Sequence, residues 1–322
     1  MKKIIQVGLF TFLTMAFAQD KGQLHENVTE NFILNYNSSN YSDLYHMLDP
    51  VMQQLASEAH YTNLIKTVRS NFGTIKQMEV SGKSGTAYRY KTTFEKGLIN
   101  IFMGVDEHGK ISSLFIPRNE EEYTSIPERN TTAMIFPFKE EAFVYWGGET
   151  LEQNYHMEDP NQQFAYDILM VAGGAPFKGD PTINESYLVF GKELMAPCDA
   201  IVVKVIDGIA DNTPGEVNTE SPTGNTLILQ TASYEYVLMG HLKMHSIQVR
   251  EGEQVKKGQV IAQCGNSGNT TQAHLHLQLQ NTPDLFNALG VKLYFEEIMV
   301  NGQLRKDHMP VKEDLVKNTG PY

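Results

Sequence analysis

The sequence predicts a small α+β domain followed by a mainly antiparallel β domain, and three observations carry that expectation. Apolar residues recur at helical spacing between His25 and Phe72. Alternating runs around Tyr88, Tyr90, Thr92 and Phe94, and around Ile99, Ile101 and Met103, are bounded by turn residues. From Phe136 to Gln280 short strand-like runs are broken by Gly, Pro and Asn, which indicates a sheet or sandwich rather than alternating strands and helices.

Taken in order, the chain starts with a processing signal. Lys2-Lys3 is a short positive start, Ile4 to Phe17 is mostly apolar, and Ala16-Phe17-Ala18 fits a small-x-small cleavage site before Gln19. Residues 1–18 therefore read as a signal peptide. The run is too short, and too broken by Gln6, Thr11 and Thr14, for a membrane span. No cysteine follows the cut, so a lipid anchor is not indicated. The mature chain is expected to be exported, periplasmic or secreted, and soluble.

Composition agrees. A chain of 322 residues with 41% hydrophobic content has room for about two domains with real cores. A net charge of −12 argues against nucleic acid or an anionic membrane surface as partner. The two cysteines, Cys198 and Cys264, permit one disulfide or two buried thiols in an exported protein, and both stay open.

Residues 19–117 form the first domain. Phe32, Ile33 and Tyr36 make one helical stripe, Leu44, Met47 and Leu48 another, and Pro50 opens a longer segment carrying Met52, Leu55, Leu64, Ile65 and Val68. His25-Glu26 does not start a zincin helix motif, because position 29 is Thr. Glu95-Lys96-Gly97 and Asp106-Glu107-His108-Gly109 are the hairpin turns of the following sheet. Helices followed by an antiparallel sheet resemble the small cystatin-like or nuclear-transport-factor-like domains that precede exported hydrolases. No cluster in this domain points to catalysis. Residues 118–135, with Glu120-Glu121-Glu122 and Pro127, read as a linker.

The second domain spans residues 136–304. Strands are expected at Phe164 to Leu169, Ile201 to Ile206, Thr226 to Gln230, Tyr234 to Leu242, Ile247 to Val249 and Ala273 to Gln280, with an open loop from Asp207 to Thr223. The last strand is the informative one. Leu275, Leu277 and Leu279 alternate with His274, His276 and Gln278, so a leucine row faces a core and two imidazoles share the other, open face. Such a pair is costly to explain as packing and suits one metal ligand beside one acid/base. Residues 305–322 are polar and read as a loosely ordered tail.

Four pieces in order, Tyr236-Val237-Leu238-Met239-Gly240-His241-Leu242, Val249 to Gln259 with its glycine corner, Gly265-Asn266-Ser267-Gly268-Asn269, and His274-Leu275-His276, resemble the lysostaphin/LytM-type zinc metallopeptidases. The resemblance covers roughly half the chain. The glycine corner alone also resembles a biotinyl/lipoyl hairpin, but no lysine sits at its tip. The resemblance implies a hybrid-motif β-sheet and one Zn²⁺ held by His156, Asp167 and His276. It further implies His274 as acid/base, and His241 toward the water or the developing oxyanion. Two imidazoles and one carboxylate leave a positive site able to activate water and polarise a carbonyl.

Three departures matter. The family spaces its first His and Asp more closely, whereas ten residues separate His156 from Asp167. Asp159 is the rival ligand, but Asp167 lies in an aromatic and aliphatic strand where an unpaired carboxylate would be expensive. Ala273 stands where the family commonly has Pro, and Val171 to about Leu194 is an insertion that either walls a groove or covers the surface. Asn154 is expected as a donor supporting the ligands, with a plain turn residue as the equal alternative.

The implied function is an exported zinc endopeptidase acting on peptidoglycan cross-link or stem peptides. The alternatives are a metal-free binding or activator module of the cell envelope, and a zinc peptidase of exported proteins or peptides. Retention of His156, Asp167, His241, His274 and His276 together favours an enzyme.

Overall fold

The computed structural model of the protein describes residues 7–84, 87–119 and 127–320, with side chains from residue 23 onward except at Ser84. Residues 1–6 of the expected signal peptide lie outside the described part, and the rest of it is described only as helical backbone. Among the described residues no helix is long and apolar enough to cross a membrane. The chain divides into two compact units, Met1–Tyr123 and Thr124–Tyr322.

The first unit is α+β. Helices α1 (Val7–Ser38), α2 (Tyr41–His46), α3 (Pro50–Leu55) and α4 (Glu58–Phe72) precede strands β1 (Ile75–Ser84), β2 (Ala87–Phe94), β3 (Leu98–Val105) and β4 (Ile111–Phe115). The strands form one antiparallel sheet in sequence order. Val28, Phe32 and Tyr36 recur every four residues on α1 and are buried. Tyr36 meets Phe94 edge-on at 5.9 Å, and Phe72 of α4 lies 5.5 Å from the same ring. Local chemistry sets the breaks. Asp49 caps α3 by accepting from Met52 N at 2.7 Å, Ser57 caps α4, and Gly73 ends α4 at φ 81°.

The second unit is mainly antiparallel β. It contains β5 (Ala142–Trp146), β6 (Tyr166–Leu169), β7 (Glu193–Met195), β8 (Ala200–Ile206), β9 (Asn225–Gln230) and β10 (Tyr236–Leu242). After these come β11 (Gln254–Val255), β12 (Val260–Gln263), β13 (Leu275–Gln280), β14 (Gly290–Val291), β15 (Phe295–Val300), β16 (Gln303–His308) and β17 (Leu315–Asn318). One sheet runs β11-β8-β9-β10-β13-β6-β5-β17-β15-β16, with β14 also on β13, while β7 and β12 pair separately. Leu275, Leu277 and Leu279 are buried in one core with Val144, Ile168, Leu227, Leu229, Val237 and Met239. Removing each leucine side chain from water contributes roughly 1.5–3 kcal/mol.

The structure corrects three expectations in this unit and narrows a fourth reading that had two alternatives. The segment expected as a loose polar tail builds β17, which lies between β5 and β15, with Val316 buried. Its polar residue Asn318 accepts from Phe136 N and donates to the Phe136 and Phe138 carbonyls, so a side-chain amide replaces ladder bonds that apolar periodicity would signal. The histidine face of β13 is not open, because both faces of that strand are buried. Ile247 to Val249 forms no strand. The 171–194 insertion is not a passive loop, since Tyr187, Val189 and Leu194 enter the core. Cys198 and Cys264 are buried free thiols, and burial pushes the Cys198 thiol up to about 12, which keeps it inert.

Candidate metal centre

Strand register brings the site together. Trp146 on β5 pairs with Asp167 on β6, Asp167 pairs with His276 on β13, and His276 pairs with Gly240 on β10. Paired residues share a face, so this row crosses four strands on the side opposite the leucine core. His156 comes from a short 3-10 turn, Tyr155–Glu158, and completes the group. Ligand atoms of His156, Asp167 and His276 all lie within 4.8 Å of one another, and all three residues are buried.

Strict alternation would turn His241 away from this face, because its neighbour Gly240 is the residue paired with His276. Instead the β9–β10 register shifts between Met239 and Leu242, and His241 adopts φ 57°. A left-handed conformation is uncommon and costly for a residue other than glycine, and such outliers concentrate at functional sites. The result is a His241 ring 4.8 Å from that of His274 and 5.8 Å from that of His276. The glycine-broken run before β13 explains its hold. A Cβ at Gly224 would lie 2.2 Å from the Ser267 carbonyl oxygen, so glycine there lets that oxygen accept from His241 Nδ1 at 2.8 Å.

Each imidazole has one nitrogen tied back, which assigns its tautomer. His156 Nδ1 donates to Asn154 Oδ1 at 2.9 Å, and Asn154 Nδ2 donates to the Ala165 and Gly148 carbonyls, which fixes that amide's orientation. His274 Nδ1 donates to the Gln272 carbonyl at 2.9 Å. His276 is held the other way round, donating from Nε2 to Gln278 Oε1 at 2.9 Å. Gln278 in turn donates to the Asn161 carbonyl and to Gln280 Oε1, and Gln280 donates to the Thr282 carbonyl. Within the His156–Asp167–His276 group the free imidazole lone pairs are therefore Nε2 of His156 and Nδ1 of His276.

Both lone pairs face one carboxylate oxygen. Asp167 Oδ1 lies 3.5 Å from His156 Nε2, 3.2 Å from His276 Nδ1 and 3.3 Å from His274 Nε2. His156 Nε2 is buried with no hydrogen-bond partner among the described residues. Burial pushes His156 down to about 3, leaving a neutral imidazole. Burial alone would raise the Asp167 carboxyl, but the His274 imidazole, through its charge and its hydrogen bond, holds it well below the ordinary carboxylate range. Two imidazole lone pairs aimed at an ionised oxygen repel unless a cation sits between them. A neutral His156 imidazole, a second imidazole nitrogen and an ionised carboxylate, mutually close, fit the two-nitrogen, one-oxygen ligand set of a catalytic zinc site.

Asp159, the rival ligand, is elsewhere engaged: it accepts from Asn161 N and Gln162 Nε2 and shapes the turn after His156. Asn154 supports His156 as an acceptor, not as the expected donor. His274 precedes β13 rather than lying in it, yet its ring reaches Asp167. Sequence reasoning placed Gln278 on the histidine face but did not identify its role, nor that of Gln280, because nothing in an alternating pattern shows which polar residue ends up buried. Substituting Gln278 with Leu should weaken zinc affinity by about 10–100-fold. Competition against a chelating dye reads this, and an unchanged affinity would show that Gln278 does not set the His276 tautomer.

Residues 189–288 match the family model described as peptidase family M23. Residues 29–114 match a family described as a protein of unknown function, DUF3887. The M23 match thus lies wholly within the second unit. His241, His274 and His276 fall inside the matched span, while His156 and Asp167 precede it. Among solved structures, the chain is similar to the catalytic domain of the antimicrobial peptidase lysostaphin from Staphylococcus simulans. That likeness has 21% identity and a TM-score of 0.28, covering 47% of this chain and 88% of that one. A zinc-containing peptidase from Vibrio cholerae is 17% identical, TM-score 0.26, over 64% of this chain and 48% of that one. A chain of the SpoIIQ–SpoIIIAH pore-forming complex is 12% identical, TM-score 0.32, over 50% and 89%. Overlaps this loose carry no weight for the chemistry. No curated protein matches.

Proposed function

We propose that the protein is an exported zinc endopeptidase that hydrolyses amide bonds in peptidoglycan peptides. The observation that carries this is the buried, partnerless His156 Nε2 converging with Asp167 and His276 Nδ1, in a chain with an M23 match. His156, Asp167 and His276 would hold the zinc. Bound there, zinc polarises the amide carbonyl and brings the pKa of water to about 7. Export is supported by the positive, apolar and small-residue pattern of residues 1–18.

The two remaining histidines divide the proton work. His241 Nδ1 is tied to Ser267, and burial, reinforced by His274 and His276, pushes the ring well below its ordinary value. It therefore presents a neutral Nε2 able to hydrogen-bond the attacking water, one of the two roles, water or developing oxyanion, that the family resemblance implies. Burial would also lower His274, but the charge of Asp167 outweighs it and raises the ring. With Nδ1 on the Gln272 carbonyl, His274 carries its mobile proton on Nε2 and can give it to the oxyanion or the leaving amine. Two like groups driven in opposite directions leave one imidazole neutral and the other able to carry the proton that is transferred.

The test is turbidity loss of purified cell walls by the full chain, blocked by a chelator and restored by zinc. Cleavage of a peptide panel without any loss of wall turbidity would move the substrate to exported proteins or free peptides. A zinc-loaded chain that cuts neither would leave a binding module.

A further inference from the structure

We infer that Tyr145, Trp146 and Tyr155, with Lys312 laid over the indole, form a subsite that selects peptides carrying a free carboxylate close to the scissile bond. The inference rests on the peptidase reading above and adds a substrate class to it. Its first basis is a continuous ladder of rings. Tyr145 meets Trp146 at 5.5 Å, Trp146 meets Tyr155 at 5.4 Å, and Tyr155 packs on His156 at 4.1 Å. The first two contacts are edge-on, which is a favourable aromatic geometry. The ladder runs from solvent to the metal centre, since Tyr145 is 42% and Tyr155 48% exposed while His156 is buried.

Its second basis is how the chain arranges this. The β5–β6 register shifts between Val144 and Trp146, so one extra residue, Tyr145, is accommodated and Trp146 pairs with Asp167. Such a bulge re-aims side chains. Here it puts the indole on the same face as the candidate ligands.

The third basis is charge. Lys312 Nζ lies 3.9 Å from the Trp146 ring centroid. Its backbone N–H donates to the Gly147 carbonyl, and the neighbouring Glu313 N–H donates to Val144, so the 311–314 turn is latched to β5. The Lys312 ammonium makes no ion pair among the described residues, whereas Lys292 is paired with Glu149 at 3.0 Å. In a chain of net charge −12, a fixed cation left without a carboxylate beside an exposed aromatic wall is complementary to an acidic peptide.

Trp146 is the only tryptophan, so its emission reports this subsite alone. The experiment titrates the zinc-supplemented full chain with a glutamate-containing tetrapeptide and with its glutamine counterpart, following Trp146 emission. The glutamate peptide should shift the emission and bind about fivefold more tightly. Lys312→Met, which keeps a flexible chain over the indole, should bring the two affinities together, and Lys312→Arg should restore the preference. Equal affinities for the unaltered chain, no emission change with either peptide, or a preference that survives in Lys312→Met would each overturn the inference. The readout needs no turnover. An inactive protein with the preference sinks only the peptidase reading, and an active one without it sinks only the subsite.

Discussion

Replacing His276 with alanine is expected to release the metal and reduce hydrolysis to background. His276 contributes the Nδ1 lone pair that meets Asp167 Oδ1 at 3.2 Å, and its orientation is held by the buried Gln278–Gln280 amide chain. No neighbouring group can take its place. His274 is the closest alternative, but its Nδ1 is committed to the Gln272 carbonyl and its Nε2 already faces the same carboxylate oxygen. Elemental analysis should fall from about one zinc per chain to near none. Zinc retained in His276→Ala would contradict the ligand assignment. The leucine row on the opposite face of β13 is untouched by the substitution and keeps the variant folded.

His274→Ala should do the opposite: keep the zinc and lose turnover. Removing an acid/base group that is not a ligand costs about 10²–10⁴-fold in kcat. The ring lies beside Asp167 and His241, but its loss leaves His156, Asp167 and His276 with their supporting hydrogen bonds intact. Paired measurement of zinc content and peptide cleavage separates the two variants. A His274→Ala protein that loses its metal would make His274 a ligand, and one that turns over normally would leave the proton work to His241 alone.

The sequence was most informative where one local rule governs the outcome. The leucine row of β13 was legible because period two and a buried face coincide, and the burial of Asp167 followed from its aromatic and aliphatic neighbours in the chain. The aim of His241 was hidden for the converse reason: a register shift and a left-handed residue suspend alternation just there. Strand β17 was missed because four residues carrying one lysine and one asparagine show too little period, and because Asn318 substitutes its side chain for ladder bonds. The covered face of β13 and the Gln278–Gln280 chain depend on the 155–161 turn folding over the strand, a contact between segments more than a hundred residues apart. The Lys312–Trp146 stack joins even more distant positions, and no local pattern encodes it.

The most direct test is diffraction at the zinc absorption edge from crystals of the zinc-loaded full chain. One anomalous peak is predicted, about 2.0–2.2 Å from His156 Nε2, an Asp167 oxygen and His276 Nδ1. A peak elsewhere, or these three side chains turned toward different places, would contradict the account at its foundation.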